Sequence, residues 1–141
     1  AALNLLGLAR ATEDLDVFVA PTLANARRLR AALVDFGFGS LAPPPQALAA
    51  ADKVFMLGRK PYRIDVLTGI DGVTFEEVWK AKVAIDFGAL SVFVIGRVAL
   101  IDNKRAAGRP KDLLDLLLLG ADAPTKRPAQ TRRPYWVWLR P

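Results

Sequence analysis

An alternating pattern of polar and apolar residues predicts a strand over residues 15–19, introduced by Asp14. Successive side chains of a strand point to opposite faces, so Leu15 and Val17 share an apolar face that can pack on a core. Asp14 and Asp16 share the other face, one strand repeat or ~7 Å apart between their Cα atoms. Like charges at that spacing repel, and protonation, a basic partner or a metal ion relieves the repulsion. Taken alone, the acidic pair favours a solvated strand end over a metal site.

Apolar residues at three- and four-residue spacing predict a helix that opens with Thr22 as its N-cap and ends at Gly37. Its apolar stripe is Leu23, Ala26, Leu29, Leu33 and Phe36. A capping box formed by Thr74 and Glu77 predicts a second, short helix. That helix includes Trp79, which we expect to be a core anchor rather than a stacking platform.

Two β-hairpins are predicted in the middle of the chain, with turns at residues 58–61 and at Gly88. Their strands are residues 54–57 and 62–67, and residues 82–87 and 90–95. Asp65 lies among apolar neighbours in the first hairpin, where a carboxylate is costly to bury unless another group pairs with it. Strands and helices that follow one another in this way predict an α+β fold.

Two more helices are predicted before the C-terminal tail. One covers residues 98–107 and is stopped by Gly108, and the other has Pro110 in its first turn and ends at Gly120. The buried side of the last helix is expected to be Leu113, Leu114, Leu116 and Leu117. Residues 121–141 form a basic, proline-rich tail with an aromatic end, which we expect to pack back on the domain rather than meet a partner.

The chain contains neither cysteine nor histidine among its 141 residues. Disulfides, thiolate nucleophiles and zinc–thiolate sites are therefore excluded, as are the Ser-His-Asp arrangement and imidazole-bound metals. A metal in this chain must be a hard ion held by oxygen atoms, such as Mg²⁺ or Mn²⁺. The length fits one ordinary domain with a sizeable core.

The net charge of +6 and the pI of about 10.1 favour an anionic partner, such as a nucleotide or nucleic acid. Solubility alone explains such a charge equally well. The longest apolar runs fall short of the ~20 residues that a membrane span needs, and the chain does not open with a secretory signal. We therefore expect a cytoplasmic protein without a membrane partner.

Three motifs, in chain order, resemble those of the nucleotidyltransferase superfamily, which has the DNA-polymerase-beta-like fold. They are Arg10-x-Thr12-x-Asp14-x-Asp16 followed by a helix opened by Pro-Thr, the strand Arg63-Ile64-Asp65-Val66-Leu67, and the run Asn103-Lys104-Arg105-Ala106-Ala107-Gly108-Arg109-Pro110-Lys111-Asp112-Leu113-Leu114-Asp115. The last run is similar to the Lys…Gly-Arg-x-Lys-Asp-x-x-Asp segment of abortive-infection type IV toxin nucleotidyltransferases. The resemblance covers residues 1–120. It implies a minimal nucleotidyltransferase fold, a mixed β-sheet with helices packed mainly on one face.

The resemblance implies a two-metal site that serves a nucleoside triphosphate. Asp14 and Asp16 would bind the Mg²⁺ (or Mn²⁺) that carries the triphosphate, and Asp65 would complete the shell of the second ion and could accept a proton. These three carboxylates are the implied catalytic and metal-binding residues. Arg10 and Thr12 are candidate nucleotide- or phosphate-binding residues from the first motif.

The third motif carries charges of both signs. Lys104 and Lys111 are candidate phosphate partners, acting as point charges rather than as bidentate forks. The carboxylates of the run, Asp112 and Asp115, are expected to pair with Arg109 or Arg105 rather than to join the metals.

The chain departs from the family pattern in one respect. The family carries a Gly-Gly or Gly-Ser pair at the start of the helix before the acidic strand, where backbone N–H groups cradle the triphosphate. That pair would align ahead of Ala1, so either it precedes the given chain or this copy lacks it, which would badly weaken nucleotide binding. Three functions follow. The first is a nucleotidyltransferase, a toxin–antitoxin component, acting on an unknown acceptor (nucleic acid, protein or small molecule), with RNA or a cognate protein as a partner. The second is a non-catalytic relative that binds a partner, such as the antitoxin half of a pair or an adaptor, and the third is a nucleic-acid-binding module.

Overall fold

The computed structural model describes residues 14–59, 62–121 and 135–138, and the chain divides into two units. The sheet unit comprises residues 14–59, 62–70 and 135–138, and the helical unit comprises residues 71–121. Both contain helices and strands, which confirms the predicted α+β class. The predicted boundary between a domain and a tail at residue 120 stays a prediction, because residues 122–134 lie outside the described part.

Four strands build the sheet unit. They are β1 (Asp14–Phe18), β2 (Lys53–Arg59), β3 (Tyr62–Leu67) and a C-terminal strand, β6 (Tyr135–Trp138). The order across the sheet is β1–β3–β2–β6, with β1 parallel to β3, β2 antiparallel to β3, and β6 parallel to β2. The sheet is therefore mixed, and the first predicted hairpin is confirmed. Because β6 extends this sheet, the expectation that the aromatic end of the tail packs back is confirmed as well.

Two helices cover one face of this sheet. They are α1 (Leu23–Leu33) and α2 (Pro45–Leu48). Thr22 caps α1 as predicted, since the Asn25 backbone N–H donates to its hydroxyl oxygen over 3.3 Å. One core joins the helices to the sheet and contains Ala26, Leu33, Ala42, Leu48, Phe55, Leu57 and Val66. Burying one large apolar side chain contributes ~1.5–3 kcal/mol, so this core fixes β2 and β3 against α1.

The predicted apolar stripe of α1 extends too far. The helix ends at Leu33 and continues into a wider π-type turn, Val34–Phe38, in which Gly37 has a φ of +103°. The wider turn shifts the following residues around the helix axis, and Phe36 is 71% exposed. Placing Phe36 on the buried side was therefore wrong.

The helical unit contains three helices and a second hairpin. They are α3 (Phe75–Lys80), β4 (Val83–Phe87), β5 (Leu90–Val94), α4 (Arg97–Ala107) and α5 (Pro110–Leu118). The predicted capping box of α3, the hairpin turn at Gly88 and the left-handed C-cap of α4 at Gly108 are all confirmed. No helix in the described ranges is both long and apolar enough to cross a bilayer.

The buried side of α5 differs from the predicted one. Leu116 is fully buried, whereas Leu113, Leu114 and Leu117 are 39%, 58% and 67% exposed. The residues that face inward recur at helical spacing and are Asp112, Asp115, Leu116 and Leu119. Leu116 and Leu119 pack against Leu100 and Ile101 of α4. The prediction was wrong because two carboxylates, rather than leucines, occupy half of the inward stripe.

Trp79 is not a core residue, so that prediction was wrong too. Its side chain is 47% exposed, and α3 buries Val78 instead. Because Phe75 and Trp79 are four residues apart on a helix, they share one side of α3, and Trp79 points about 100° away from its neighbour Val78. The Trp79 ring contacts other aromatic rings at the surface of the helical unit.

Candidate functional site

The register of β1 and β3 brings the predicted carboxylates onto one face of the sheet. Asp14 is paired with Arg63, and Asp16 is paired with Asp65 on the neighbouring parallel strand. Partners in register lie on the same face, and adjacent strands are ~4.8 Å apart. Val66 points into the core beneath α1, so this acidic face is the opposite one. We call the four residues Asp14, Asp16, Arg63 and Asp65, on two neighbouring strands, the acidic strand pair.

Asp65 is a buried carboxylate with a bidentate partner. Only 6% of the residue is exposed. The Arg63 guanidinium binds it through two contacts, Nε to Oδ1 at 2.9 Å and Nη2 to Oδ2 at 2.9 Å. The two residues are two positions apart on β3, which places both on the acidic face. This ion pair offsets the cost of burial and supplies the partner that the sequence required for Asp65.

Asp16 and Asp14 are the remaining carboxylates of the acidic strand pair. Asp16 is exposed, and the side chain of Asp14 lies outside the described part of the chain. Among the described side chains, no group of three or more acidic residues converges as a metal-ligand set. The structure thus brings Asp16 and Asp65 together by register and places Asp14 one strand repeat away.

The donor atoms of the acidic strand pair fit a hard divalent ion. Asp14, Asp16 and Asp65 supply only oxygen donors, which Mg²⁺ and Mn²⁺ prefer. Both oxygens of Asp65 already contact Arg63, Oδ2 as acceptor of a hydrogen bond from Nη2 and Oδ1 in an ion-pair contact with Nε. A carboxylate has about four lone-pair sites, so Asp65 can keep this contact and still offer oxygen lone pairs to a cation. These three carboxylates are the residues that would hold the ion.

Lys104 lies in a buried ion cluster of the helical unit rather than in an open phosphate site. Its Nζ is 2.8 Å from Asp112 Oδ1 and 2.9 Å from Asp115 Oδ2, and both carboxylates are fully buried. Arg109 adds a third contact, Nε to Asp112 Oδ2 at 2.7 Å. Its backbone N–H donates to the same oxygen over 3.2 Å. The Lys104 ammonium thus contacts two carboxylates, and its assignment as a phosphate partner stays a prediction.

The local sequence explains how this cluster forms. Gly108 ends α4 in a left-handed conformation, and Pro110 starts α5 two residues later. The turn brings Lys104 beside positions 112 and 115, which share one side of α5 at three-residue spacing. Asp112 pairs with Arg109 as expected. Asp115 contacts Lys104, and Arg105 lies 3.9 Å from Asp102.

The pKa of Asp112 is lowered by its hydrogen bonds. Burial alone would raise the pKa, but the hydrogen bonds from Lys104 and Arg109 outweigh burial and bring it below the usual aspartate value. The folded chain therefore binds this proton more weakly than the unfolded chain does. A depressed folded pKa stabilises the fold above the ordinary aspartate pKa, and that contribution is lost as the pH falls through the folded value.

We therefore expect the urea concentration at the unfolding midpoint to fall on acidification, in part because Asp112 becomes protonated. Between about pH 6 and about pH 3 the midpoint of the wild type should decrease more than that of Asp112→Asn, which lacks this titration. The variant should be less stable at the higher pH, because the ion pairs of Asp112 with Lys104 and Arg109 are both missing. Parallel pH profiles for the two proteins would contradict the assignment of the acid-sensitive stability to this carboxylate.

Three predicted site residues remain, which are Lys111, Arg10 and Thr12. Lys111 is exposed in the first turn of α5, and Arg10 and Thr12 lie outside the described residues. Sequence reasoning overlooked Arg63 as a site residue. Its signal was the Arg-x-Asp spacing on a strand, because side chains two residues apart share a face.

Comparison with known proteins adds no assignment, since no family model, curated protein or solved structure matches the chain. Two features therefore point to a function: the three sequence motifs and the register of β1 and β3. The sheet unit carries the acidic strand pair, and the helical unit carries Lys104 and Lys111.

Proposed function

We propose that the protein is a Mg²⁺-dependent nucleotidyltransferase that moves a nucleoside monophosphate from a nucleoside triphosphate to an acceptor. The observation that supports the proposal is the register that pairs Asp16 with Asp65 on neighbouring parallel strands, one repeat from Asp14. The resemblance assigns the same three carboxylates to a metal site. In a chain without histidine or cysteine, they are the natural ligands for a hard ion.

Each carboxylate has a distinct role in this proposal. The bound ions would neutralise triphosphate charge and polarise the phosphoryl oxygens. Asp14 and Asp16 hold the nucleotide side of the site, where the exposure of Asp16 gives a charged ligand access. Asp65 faces the acceptor and accepts the proton of its attacking hydroxyl.

Arg63 acts as a positioning residue for Asp65. Its two contacts fix the plane of the carboxylate. An ionised carboxylate of fixed orientation is what both metal binding and proton acceptance require. The residue that the sequence reasoning overlooked thus contributes to the site through Asp65.

We expect Asp16→Asn to lower nucleotidyl transfer about 100-fold or more. The substitution keeps the size of the side chain and removes the charge that holds the ion, and a metal Lewis acid supplies several kcal/mol of transition-state stabilisation. The measurement is label transfer from each of the four α-labelled ribonucleoside triphosphates with Mg²⁺. Total RNA and the protein itself are supplied as acceptors.

Asp35→Asn is the matched control, because Asp35 is an exposed carboxylate of the sheet unit outside the acidic strand pair. Its transfer rate should equal that of the wild type. Equal labelling by the wild type and Asp16→Asn would overturn the proposed chemistry.

A second candidate function is a catalytically inactive relative that acts as a binding or antitoxin-like partner. The observation that favours it is that both oxygens of Asp65 contact Arg63, so an internal cation already neutralises the third carboxylate. On this hypothesis Arg63 stands where a metal would otherwise balance the charge. Absence of label transfer with every nucleotide, together with absence of Mn²⁺ binding, would favour the inactive relative. The toxin–antitoxin context comes from the resemblance.

A further inference from the structure

The helical unit carries an aromatic cluster at its surface, which we call the aromatic platform: Phe75, Trp79, Lys82 and Phe93. Phe75 and Trp79 are stacked, with ring centroids 5.8 Å apart and an interplanar angle of 17°. Phe93 of β5 meets the Trp79 ring edge-on, with centroids 5.4 Å apart and an angle of 77°. Trp79 is 47% exposed and Phe93 is 55% exposed.

A lysine ammonium is held at the same surface. Lys82 Nζ lies 4.1 Å from the centroid of the Trp79 ring and 5.0 Å from that of Phe93. It also donates a hydrogen bond to the Trp79 backbone carbonyl over 3.1 Å. These contacts restrict the ammonium to the aromatic surface, where cation–π attraction favours it. The platform therefore presents exposed aromatic rings and, 4.1 to 5.0 Å from two ring centroids, a positively charged ammonium group.

The hairpin that carries Phe93 does not bury this surface. In register across β4 and β5, Phe93 is paired with Ala84, a side chain too small to cover it. The next pair on the same face is Asp86 with Ser91. Because the Asp86 carboxylate repels phosphate groups, these are favoured on the Lys82 side. Exposed aromatic surface rimmed by polar groups is typical of a binding site.

We infer that the aromatic platform binds single-stranded nucleic acid. Unpaired bases stack on exposed aromatic rings with little sequence preference, while nearby cations contact the backbone phosphates. Phe93 and the exposed part of Trp79 would supply the stacking surface, and Lys82 would supply the phosphate contact. The net charge of +6 favours approach of such a polyanion. A duplex fits less well, because its bases are already stacked on one another.

The inference goes beyond the proposed transfer reaction and does not depend on it. Binding to the platform requires neither a nucleoside triphosphate nor a divalent ion. If both hold, the platform identifies single-stranded nucleic acid as the acceptor class of the transferase.

The test is fluorescence anisotropy with a labelled oligouridylate of about 12 nucleotides, a length within the span of known single-strand sites, in EDTA and without nucleotide. We expect Phe93→Leu to weaken binding about tenfold, equivalent to ~1.4 kcal/mol, because leucine keeps the apolar bulk and removes the stacking face. Phe36→Leu is the matched control, since Phe36 is an exposed aromatic residue of the sheet unit. It should bind as the wild type does.

Lys82→Ala should lower the slope of log affinity against log salt concentration by about 1, whereas the exposed Arg28, replaced by alanine, should leave the slope unchanged. Unchanged affinity in Phe93→Leu, or equal binding of the oligouridylate and its duplex, would overturn the inference. Failure to bind combined with self-association that Phe93→Leu abolishes, seen by analytical ultracentrifugation, would also overturn it and assign the platform to a protein contact. Loss of transfer with intact oligonucleotide binding would count against the transferase alone.

Discussion

Lys104→Met is expected to lower the free energy of unfolding by about 3–5 kcal/mol. Lys104 Nζ contacts Asp112 and Asp115, both fully buried, over 2.8 and 2.9 Å. Methionine has similar length but no charge, so the substitution removes the ammonium that contacts both carboxylates inside the helical unit, while the contact of Arg109 with Asp112 remains. Removal of one partner of a buried ion pair is costly because the remaining charge stays desolvated. The measurement is urea unfolding at neutral pH.

The matched control for this prediction is Lys111→Met. Lys111 is exposed at the start of α5, so the same substitution there should change the free energy of unfolding by less than about 0.5 kcal/mol. Removing all three buried charges in the triple variant Lys104→Met, Asp112→Leu and Asp115→Leu should recover most of the lost stability, because the remaining Arg109 is exposed to solvent. A loss below about 1 kcal/mol in Lys104→Met would contradict a buried, desolvated ion cluster at these residues.

Arg63→Met is expected to destabilise the sheet unit by about 3 kcal/mol, and a divalent ion should restore part of the loss. Without its guanidinium partner, Asp65 is a buried carboxylate beside Asp14 and Asp16. A cation bound by these carboxylates would neutralise the excess charge. At 100 times its dissociation constant a ligand stabilises the folded state by about 2.7 kcal/mol. We therefore expect Mn²⁺ to raise the melting temperature of Arg63→Met more than that of the wild type.

The double variant Arg63→Met with Asp65→Asn separates charge from packing. It removes both members of the ion pair, so it should be more stable than Arg63→Met and should respond less to Mn²⁺. An equal Mn²⁺ response in all three proteins would mean that the ion binds elsewhere. No response in any of them would favour the inactive relative, in which Arg63 neutralises the carboxylate.

Features set by neighbouring residues could be predicted from the sequence. The capping oxygens of Thr22 and Thr74 act within three residues, and the turn at Gly88 needs a positive φ that glycine adopts readily. The need of Asp65 for a partner was also a local property, since Arg63 lies on the same face of the same strand. In these cases the interacting groups are close in sequence, so the pattern alone carries the information.

Features set by distant residues could not be predicted in the same way. Six leucines follow one another closely in and after α5, so nearly every side of the helix is apolar and periodicity does not identify the buried one. The buried side is decided by Lys104 of α4, which pairs with Asp112 and Asp115. Trp79 was misplaced for a related reason, because its surroundings come from Phe93 on a later strand.

The pairing of Asp16 with Asp65 lies between these cases. It requires β3 to lie beside β1 in parallel, with about fifty residues between the two carboxylates. Neither strand pattern specifies that neighbour, and only the resemblance predicted that the acidic residues would share a site. We propose that this pairing helps to hold a metal ion.

Titration of Mn²⁺ followed by electron paramagnetic resonance measures whether the acidic strand pair holds a metal ion. The wild type should remove free Mn²⁺ from solution, Asp16→Asn should lose this binding, and Asp35→Asn should retain it. Mg²⁺ should compete for the same site, since both are hard ions with oxygen ligands. Equal Mn²⁺ binding by the wild type and Asp16→Asn, or none by either, would contradict a metal site on the acidic strand pair.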